Sequence, residues 1–249
     1  MPLMDHLGEL RRRLVIVVTC VLITTVVLYF IAPQLIEFLK MPIASYIPDL
    51  YVTGAFEGFT LKFTVSIFGA VIVCSPIIFW ELLAFFLPAL KPNERRFVLP
   101  TFAAAVFLFV LGMVFCYCFA LGAAFEWLTG EAASFGALLP QASDYIKYVM
   151  LFEIAFGLAF ELPLIVFFLI YFDIVPYSKL RAAWRYVFVG LLVLAAVVTP
   201  DASPVTMLIM FAALVALYEL ALLLARLALA RKIKRQKERE AAEEAELEG

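Results

Sequence analysis

Histidine and cysteine are scarce in this chain, and their placement argues against metal or acid–base chemistry. The one histidine, His6, lies beside an N-terminal basic segment and belongs to no H-E-x-x-H pair. The four cysteines, Cys20, Cys74, Cys116 and Cys118, all fall within apolar runs. Cys116 and Cys118 stand about 200° apart around a helix, so neither a disulfide nor a shared metal is expected, and all four read as small core residues. A G-x-x-x-x-G-K-[ST] phosphate loop is absent, as is the Tyr-Asp and Gly-x-Gly-Asp pair of an intramembrane aspartyl protease. Neither catalysis nor a cofactor is therefore expected.

Charge is scarce too. Only 16% of residues are charged, against 65% hydrophobic and a mean hydropathy of +1.03. A soluble domain of 249 residues has too little core to hide that much apolar surface. A net charge of −2 with a pI near 5.6 argues against a nucleic-acid partner, since the basic residues form no single aromatic-studded patch. What is abundant is long apolar sequence, in six runs at 14–32, 63–87, 97–119, 148–172, 186–198 and 205–225. An all-α membrane protein with six spans follows, because a spanning backbone must satisfy its own hydrogen bonds. The fifth run is too short for a ~30 Å hydrocarbon core and predicts local thinning of the bilayer or a re-entrant path. The first run lacks a small-residue cleavage pattern and reads as a retained anchor.

Basic residues set the orientation. Arg11, Arg12 and Arg13 precede the first run, Lys91, Arg95 and Arg96 follow the second, and Lys179, Arg181 and Arg185 follow the fourth. Arg226, Arg231, Lys232, Lys234, Arg235, Lys237 and Arg239 follow the last, which leaves only Lys40, Lys62 and Lys147 for the other side. The positive-inside rule puts both termini in the cytoplasm. Residues 1–225 read as one membrane domain and 226–249 as a charged cytoplasmic tail, a solvated continuation of the last span. Of the outside segments, 33–60 and 126–147 are expected to be ordered caps, and Ser203 then Pro204 start the last helix.

Glu161 stands out within the fourth run. In a 25-residue helix of about 37 Å it lies roughly 20 Å from one end and 17 Å from the other. An acid there costs about 2.5–3.5 kcal/mol even on insertion scales, so it faces protein or water and not lipid. Gly157 and Glu153 lie about 40° and 80° from it around a continuous helix, forming a small and polar strip, and Pro163 removes a backbone donor just beyond. Such a strip admits a polar side chain from another helix, or water. The alternative is a hydrogen bond to neighbouring spans of the same chain.

Four motifs now make a pattern. His6-Leu-Gly-Glu9-Leu-Arg11-Arg-Arg13 precedes the first span, and Phe85-Phe-Leu-Pro88-Ala-Leu90 with Glu94-Arg95-Arg96 follows the second. Phe156-Gly-Leu-Ala-Phe160-Glu161-Leu-Pro163 lies in the fourth, and Thr199-Pro200-Asp201 precedes the last. In this order, over residues 5 to 225, they resemble the TatC component of the twin-arginine protein translocase.

The resemblance implies a concave, glove-like arrangement of six helices, the last two short, in the bacterial cytoplasmic membrane. It implies a receptor that binds twin-arginine signal peptides of folded cargo and nucleates export driven by the proton gradient. Single-span TatA- and TatB-type subunits are the implied partners in a multimeric complex, TatB along the fifth span. By the same likeness, Glu9 and Glu94 contact the signal's arginines, Arg11 orients Glu9, and Phe85 packs apolar signal residues. The competing reading of Glu9 is an ion pair with Arg12 or Arg13 at i+3 or i+4. Pro88 and Pro42 are loop-shaping residues, Asp201 caps the last helix or meets a partner, and Glu161 is the buried acid of the fourth span. Two rival functions remain open: a proton-coupled small-solute carrier, which needs a second functional half, and a structural scaffold, which needs neither Glu9 nor Glu94.

Overall fold

The computed structural model describes residues 3–47, 50–86, 98–136, 140–199, 203–230, 232–234 and 236, with side chains from residue 8 onward except that of Phe86. Each apolar run is helical, as a backbone in hydrocarbon requires. Helix α1 is Leu3–Phe30, α2 Ala32–Lys40, α3 Glu57–Val73, α4 Ser75–Phe86, α5 Val98–Phe115 and α6 Leu121–Ala133. Then come α7 Ala142–Ala159, α8 Leu162–Tyr171, α9 Tyr177–Ala182, α10 Trp184–Val198 and α11 Pro204–Ala228. A 3-10 turn, Met41–Ile43, follows α2, and a π turn, Cys116–Ala120, joins α5 to α6.

Four helical segments of the described residues are long and apolar enough to cross a membrane: Gly8–Phe30, Val98–Ala133, Ala142–Tyr171 and Pro204–Ala228. The second run is broken at Cys74 into α3 and α4, bent by 51°, and counts as a fifth crossing if the pair is one span. Pro76 explains the break, because it lacks an N–H and its ring clashes with the carbonyl one turn back. Helix α10 has 15 residues, about 22 Å at 1.5 Å per residue, short of a full crossing. Length and composition thus establish a multi-pass membrane protein with four or five crossings; a sixth depends on how the bilayer meets α10.

Contacts divide the chain into two compact units, Met1–Gly157 and Leu158–Gly249. In the first, α1 packs along α3 and also meets α4, α2 lies on α3, α4 lies on α5, and the 3-10 turn sits on α6. Its core is built on α7, where Ile146, Val149, Phe152 and Phe156 are buried, with Phe115 and Phe156 stacked at 6.1 Å and Phe125 against Tyr145 at 4.6 Å. Cys74 and Cys116 join this core as expected, but Cys118 is exposed and is not a core residue.

The segment 126–147 departs from the expected cap, because the helix continues through Gly130 to Ala133. Glycine costs a helix only about 1 kcal/mol, too little to end one that already has 32 residues behind it in the Val98–Ala133 segment. The segment 33–60 is ordered by α2, the 3-10 turn and a bridge from Tyr51 to Gln141. Glu57 fastens it: one carboxylate oxygen accepts from the Thr53 N–H at 2.5 Å and its hydroxyl at 3.0 Å, the other from the Ser143 N–H at 3.2 Å and its hydroxyl at 2.9 Å. An anion at the first turn of α7 also complements the helix dipole. Glu57→Ala should therefore make the 50–56 segment several-fold more sensitive to limited proteolysis. Glu57→Gln, which keeps an acceptor, should lie between it and the native chain.

In the second unit α8 and α10 both pack on α11, burying Val166, Ile170, Leu191, Met210, Leu214 and Ala221. Ser203 caps α11 as expected, its hydroxyl accepting from the Val205 and Thr206 N–H groups at 3.2 Å, with Pro204 at the first helical position. The cap expected of Asp201 is thus taken by Ser203, and Asp201 itself lies outside the described residues. Arg181 donates to both carboxylate oxygens of Glu219, at 2.9 and 2.8 Å, and the Tyr218 hydroxyl donates to the Leu180 carbonyl at 3.0 Å, fixing α9 to α11.

The tail does not simply continue α11 into solvent. Leu229 leaves helical geometry, Ile233 is buried, and Lys232 pairs with Asp173 at 2.9 Å while donating to the Tyr171 carbonyl. Gln236 donates to the other oxygen of Asp173. Asp173, at φ 58°, takes the left-handed position that ends α8 and turns its carboxylate toward these donors. A long-range ion pair of this kind leaves no mark in local spacing.

Candidate functional site

The first cluster of candidate residues is at the head of α1. Glu9 and Arg13 are one turn apart, and Arg13 donates to one oxygen of Glu9 through Nη2 at 2.5 Å and Nε at 3.2 Å. Its third nitrogen, Nη1, reaches Glu81 of α4 at 2.8 Å. One guanidinium thus bridges two acids, using its fixed fork of donors. All three side chains are partly screened from solvent, with 26% of Glu9, 22% of Arg13 and 14% of Glu81 exposed. The competing reading of Glu9 as an i,i+4 pair is therefore correct for its contact within the chain. Arg13 holds Glu9, whereas Arg11 is exposed and, two residues from Glu9, points to another side of the helix.

Glu81 is the residue that sequence reading missed. Its signal was present, since it is the one acid inside the run 63–87. Phe85 lies one helical turn further along α4 on the same face and is half-buried. Glu94 and Pro88 lie outside the described residues. Pro42 sits in the 3-10 turn that packs on α6.

The other candidates lie in the fourth apolar run. Glu153 of α7 is 6% exposed, and its Oε1 has no hydrogen-bond partner among the described residues. Gly157, one turn on, is not part of an open strip. A Cβ there would come within 2.7 Å of the Phe109 ring of α5, so the position is a close helix contact in which any larger residue would have to displace that ring.

Glu161 lies between α7 and α8. Its N–H bonds back three residues to the Leu158 carbonyl at 3.1 Å, and its own carbonyl accepts from Leu164 at 3.0 Å and Ile165 at 3.1 Å. Pro163, at the first turn of α8, removes the donor that would have continued the ladder. The continuous helical register assumed for the strip therefore stops at Ala159. The Glu161 side chain is 9% exposed, and its Oε1 also lacks a partner among the described residues. Among the described residues no group of three or more His, Cys, Asp or Glu side chains is placed to hold a metal ion.

Comparison with known proteins agrees with the motif pattern. Residues 5–212 match the family model of the Sec-independent protein translocase protein (TatC). The Sec-independent protein translocase protein TatC of Deinococcus radiodurans is 36% identical, over 90% of this chain and 86% of that protein. That of Aquifex aeolicus is 32% identical, over 95% of this chain and all of its own length. A crystal structure of the twin-arginine translocase receptor TatC superposes with a TM-score of 0.74 at 30% identity, covering 90% of this chain and 99% of the other. Family model, relatives and fold coincide over the same residues, and the chain belongs to the TatC family of Sec-independent protein translocase proteins.

Proposed function

We propose that this chain is the receptor and core subunit of a twin-arginine translocase, in which acids at the head of α1 and in the 87–97 segment receive the two arginines of a signal peptide. The observation that carries the reading is Glu9 itself, one of whose oxygens already accepts from two nitrogens of a guanidinium at the head of α1. Phe85 is the apolar neighbour for the residues that follow the arginines, and Glu94 the second carboxylate. Residues 1–225 act as one receptor body and 226–249 as the cytoplasmic tail. The site lies in the bacterial cytoplasmic membrane with both termini inside, and the chain has no catalytic role of its own.

Glu161 and Glu153 are assigned to assembly. Their buried oxygens, each without a partner among the described residues, support a contact with polar groups on the single spans of TatA- and TatB-type subunits, TatB lying along α10. The proton gradient then drives export by the multimer. Complementation tests the function: the chain, expressed with its own small subunits in a bacterium lacking its translocase, should restore export of a folded twin-arginine reporter and not of its twin-lysine form. Solute uptake by vesicles holding this chain alone would instead favour a carrier.

The orientation has its own test. In a background without the native cysteines, Gly136→Cys should react with an impermeant thiol reagent added from outside, and Gly8→Cys should not. Both glycines face open space, so neither substitution disturbs packing. Labelling of Gly8→Cys in sealed cells would reverse the topology.

A further inference from the structure

The Glu9–Arg13–Glu81 bridge has a consequence for how a ligand reaches Glu9. An empty receptor carboxylate at the edge of a membrane needs a counter-charge, and here the chain supplies one, since Arg13 places Nη2 and Nε on Glu9. That guanidinium is chemically the same group as the one the site receives. It is also held from the opposite side, by Glu81 through Nη1.

We infer that Arg13 is an internal stand-in for a signal arginine, and that Glu81 is the positioning residue that retains Arg13 when an incoming guanidinium takes Glu9. This inference rests on the receptor reading of Glu9. In the exchange, two charge-assisted hydrogen bonds to Glu9 pass from Arg13 to the ligand, while the bond from Arg13 to Glu81 stays. No charge is stranded at any stage, because Arg13 is neutralised by Glu81 and Glu9 by the ligand. Without Glu81, Arg13 has Glu9 as its one carboxylate among the described residues and competes with the ligand at full strength. With neither Arg13 nor Glu81, Glu9 is open and the local charge is unchanged. Glu81 therefore sets the affinity of a site it does not touch, and the Arg13 bridge selects for ligands able to offer a fork of donors and not a point charge.

The test is a binding series on the purified full chain in lipid nanodiscs, with a synthetic peptide carrying two adjacent arginines before an apolar stretch. Glu81→Gln should weaken binding roughly tenfold, the order of one charge-assisted hydrogen bond. The double variant Arg13→Gln, Glu81→Gln should bind at least as tightly as the native chain, a rescue that a merely structural pair would not give. Arg13→Gln alone, which opens Glu9 and leaves an extra negative charge beside it, should bind several-fold tighter, and it decides the matter if Glu81→Gln fails to fold. Native affinity in Glu81→Gln, equal weakness in the double variant, or weaker binding in Arg13→Gln would each overturn the inference. Glu9→Gln in the same series separates the two levels. If it binds like the native chain, the receptor reading itself fails; if it weakens binding while Arg13→Gln does not tighten it, only the stand-in role fails.

Discussion

Replacing Glu9 and Glu94 together by glutamine should reduce affinity for a twin-arginine peptide by about a hundredfold or more, at about 1.5–3 kcal/mol for each charge-assisted hydrogen bond removed. Glutamine keeps the size and one acceptor of the carboxylate, so a loss of this size reports charge and fork geometry, not shape. The double variant must retain its fold, which is expected because Arg13 keeps Glu81 as a partner when Glu9 is neutral. The native-to-variant difference should shrink as salt rises, since the site is partly open to solvent and its attraction is screened. Unchanged affinity in a folded double variant would remove the head of α1 from the receptor site.

The second large effect belongs to Glu161. Glu161→Ala should abolish most transport while leaving peptide affinity near the native value, because the acid lies ten residues from the end of α8, about 15 Å along the helix axis. Signal arginines held at the headgroup level do not reach that depth. A proposed contact between its oxygen, which has no partner among the described residues, and a polar group on a partner span would be worth on the order of 1 kcal/mol, weak enough to be made and broken during each export cycle. Glu161→Gln retains hydrogen bonding and should keep more transport than alanine. Equal failure of both would assign the role to ionisation; normal transport in the alanine variant would reduce Glu161 to a structural residue. Gel-resolved export of a folded reporter, measured beside peptide binding on the same membranes, separates these cases.

Much of this was legible in the chain because membrane helices are written locally. The six apolar runs are all helical, Ser203-Pro204 starts α11, and the burial of Glu161 follows from its position in an apolar stretch. What escaped were breaks and long-range pairs. Pro76 divides the second run, yet its flanks are as apolar as any span. The Val98–Ala133 helix runs through Gly130 because one glycine is a weak stop. Gly157 read as an open strip, but whether a small residue leaves a gap depends on the neighbour, and Phe109 of another helix fills it.

The candidate site divides in the same way. Glu9 and its i+4 arginine are adjacent in sequence, and the alternative pairing with Arg13 was visible from spacing alone. Glu81 is 68 residues from Arg13, and only the packing of α1 against α4 brings them together. Glu57 with Ser143, and Asp173 with Lys232, are pairs of the same kind. Polar groups that meet across elements obey no period, so local spacing gives no sign of them.

The receptor claim is tested most directly by a crosslinking map. A twin-arginine peptide bearing a photoreactive group beside its arginines is bound to the full chain in nanodiscs, irradiated, and the adducts are sequenced. The account predicts adducts confined to the head of α1 and to the Phe85 and 87–97 region, lost in the Glu9→Gln, Glu94→Gln variant and absent with a twin-lysine peptide. Adducts on 33–60 or 126–147, or equal labelling by the lysine peptide, would contradict it.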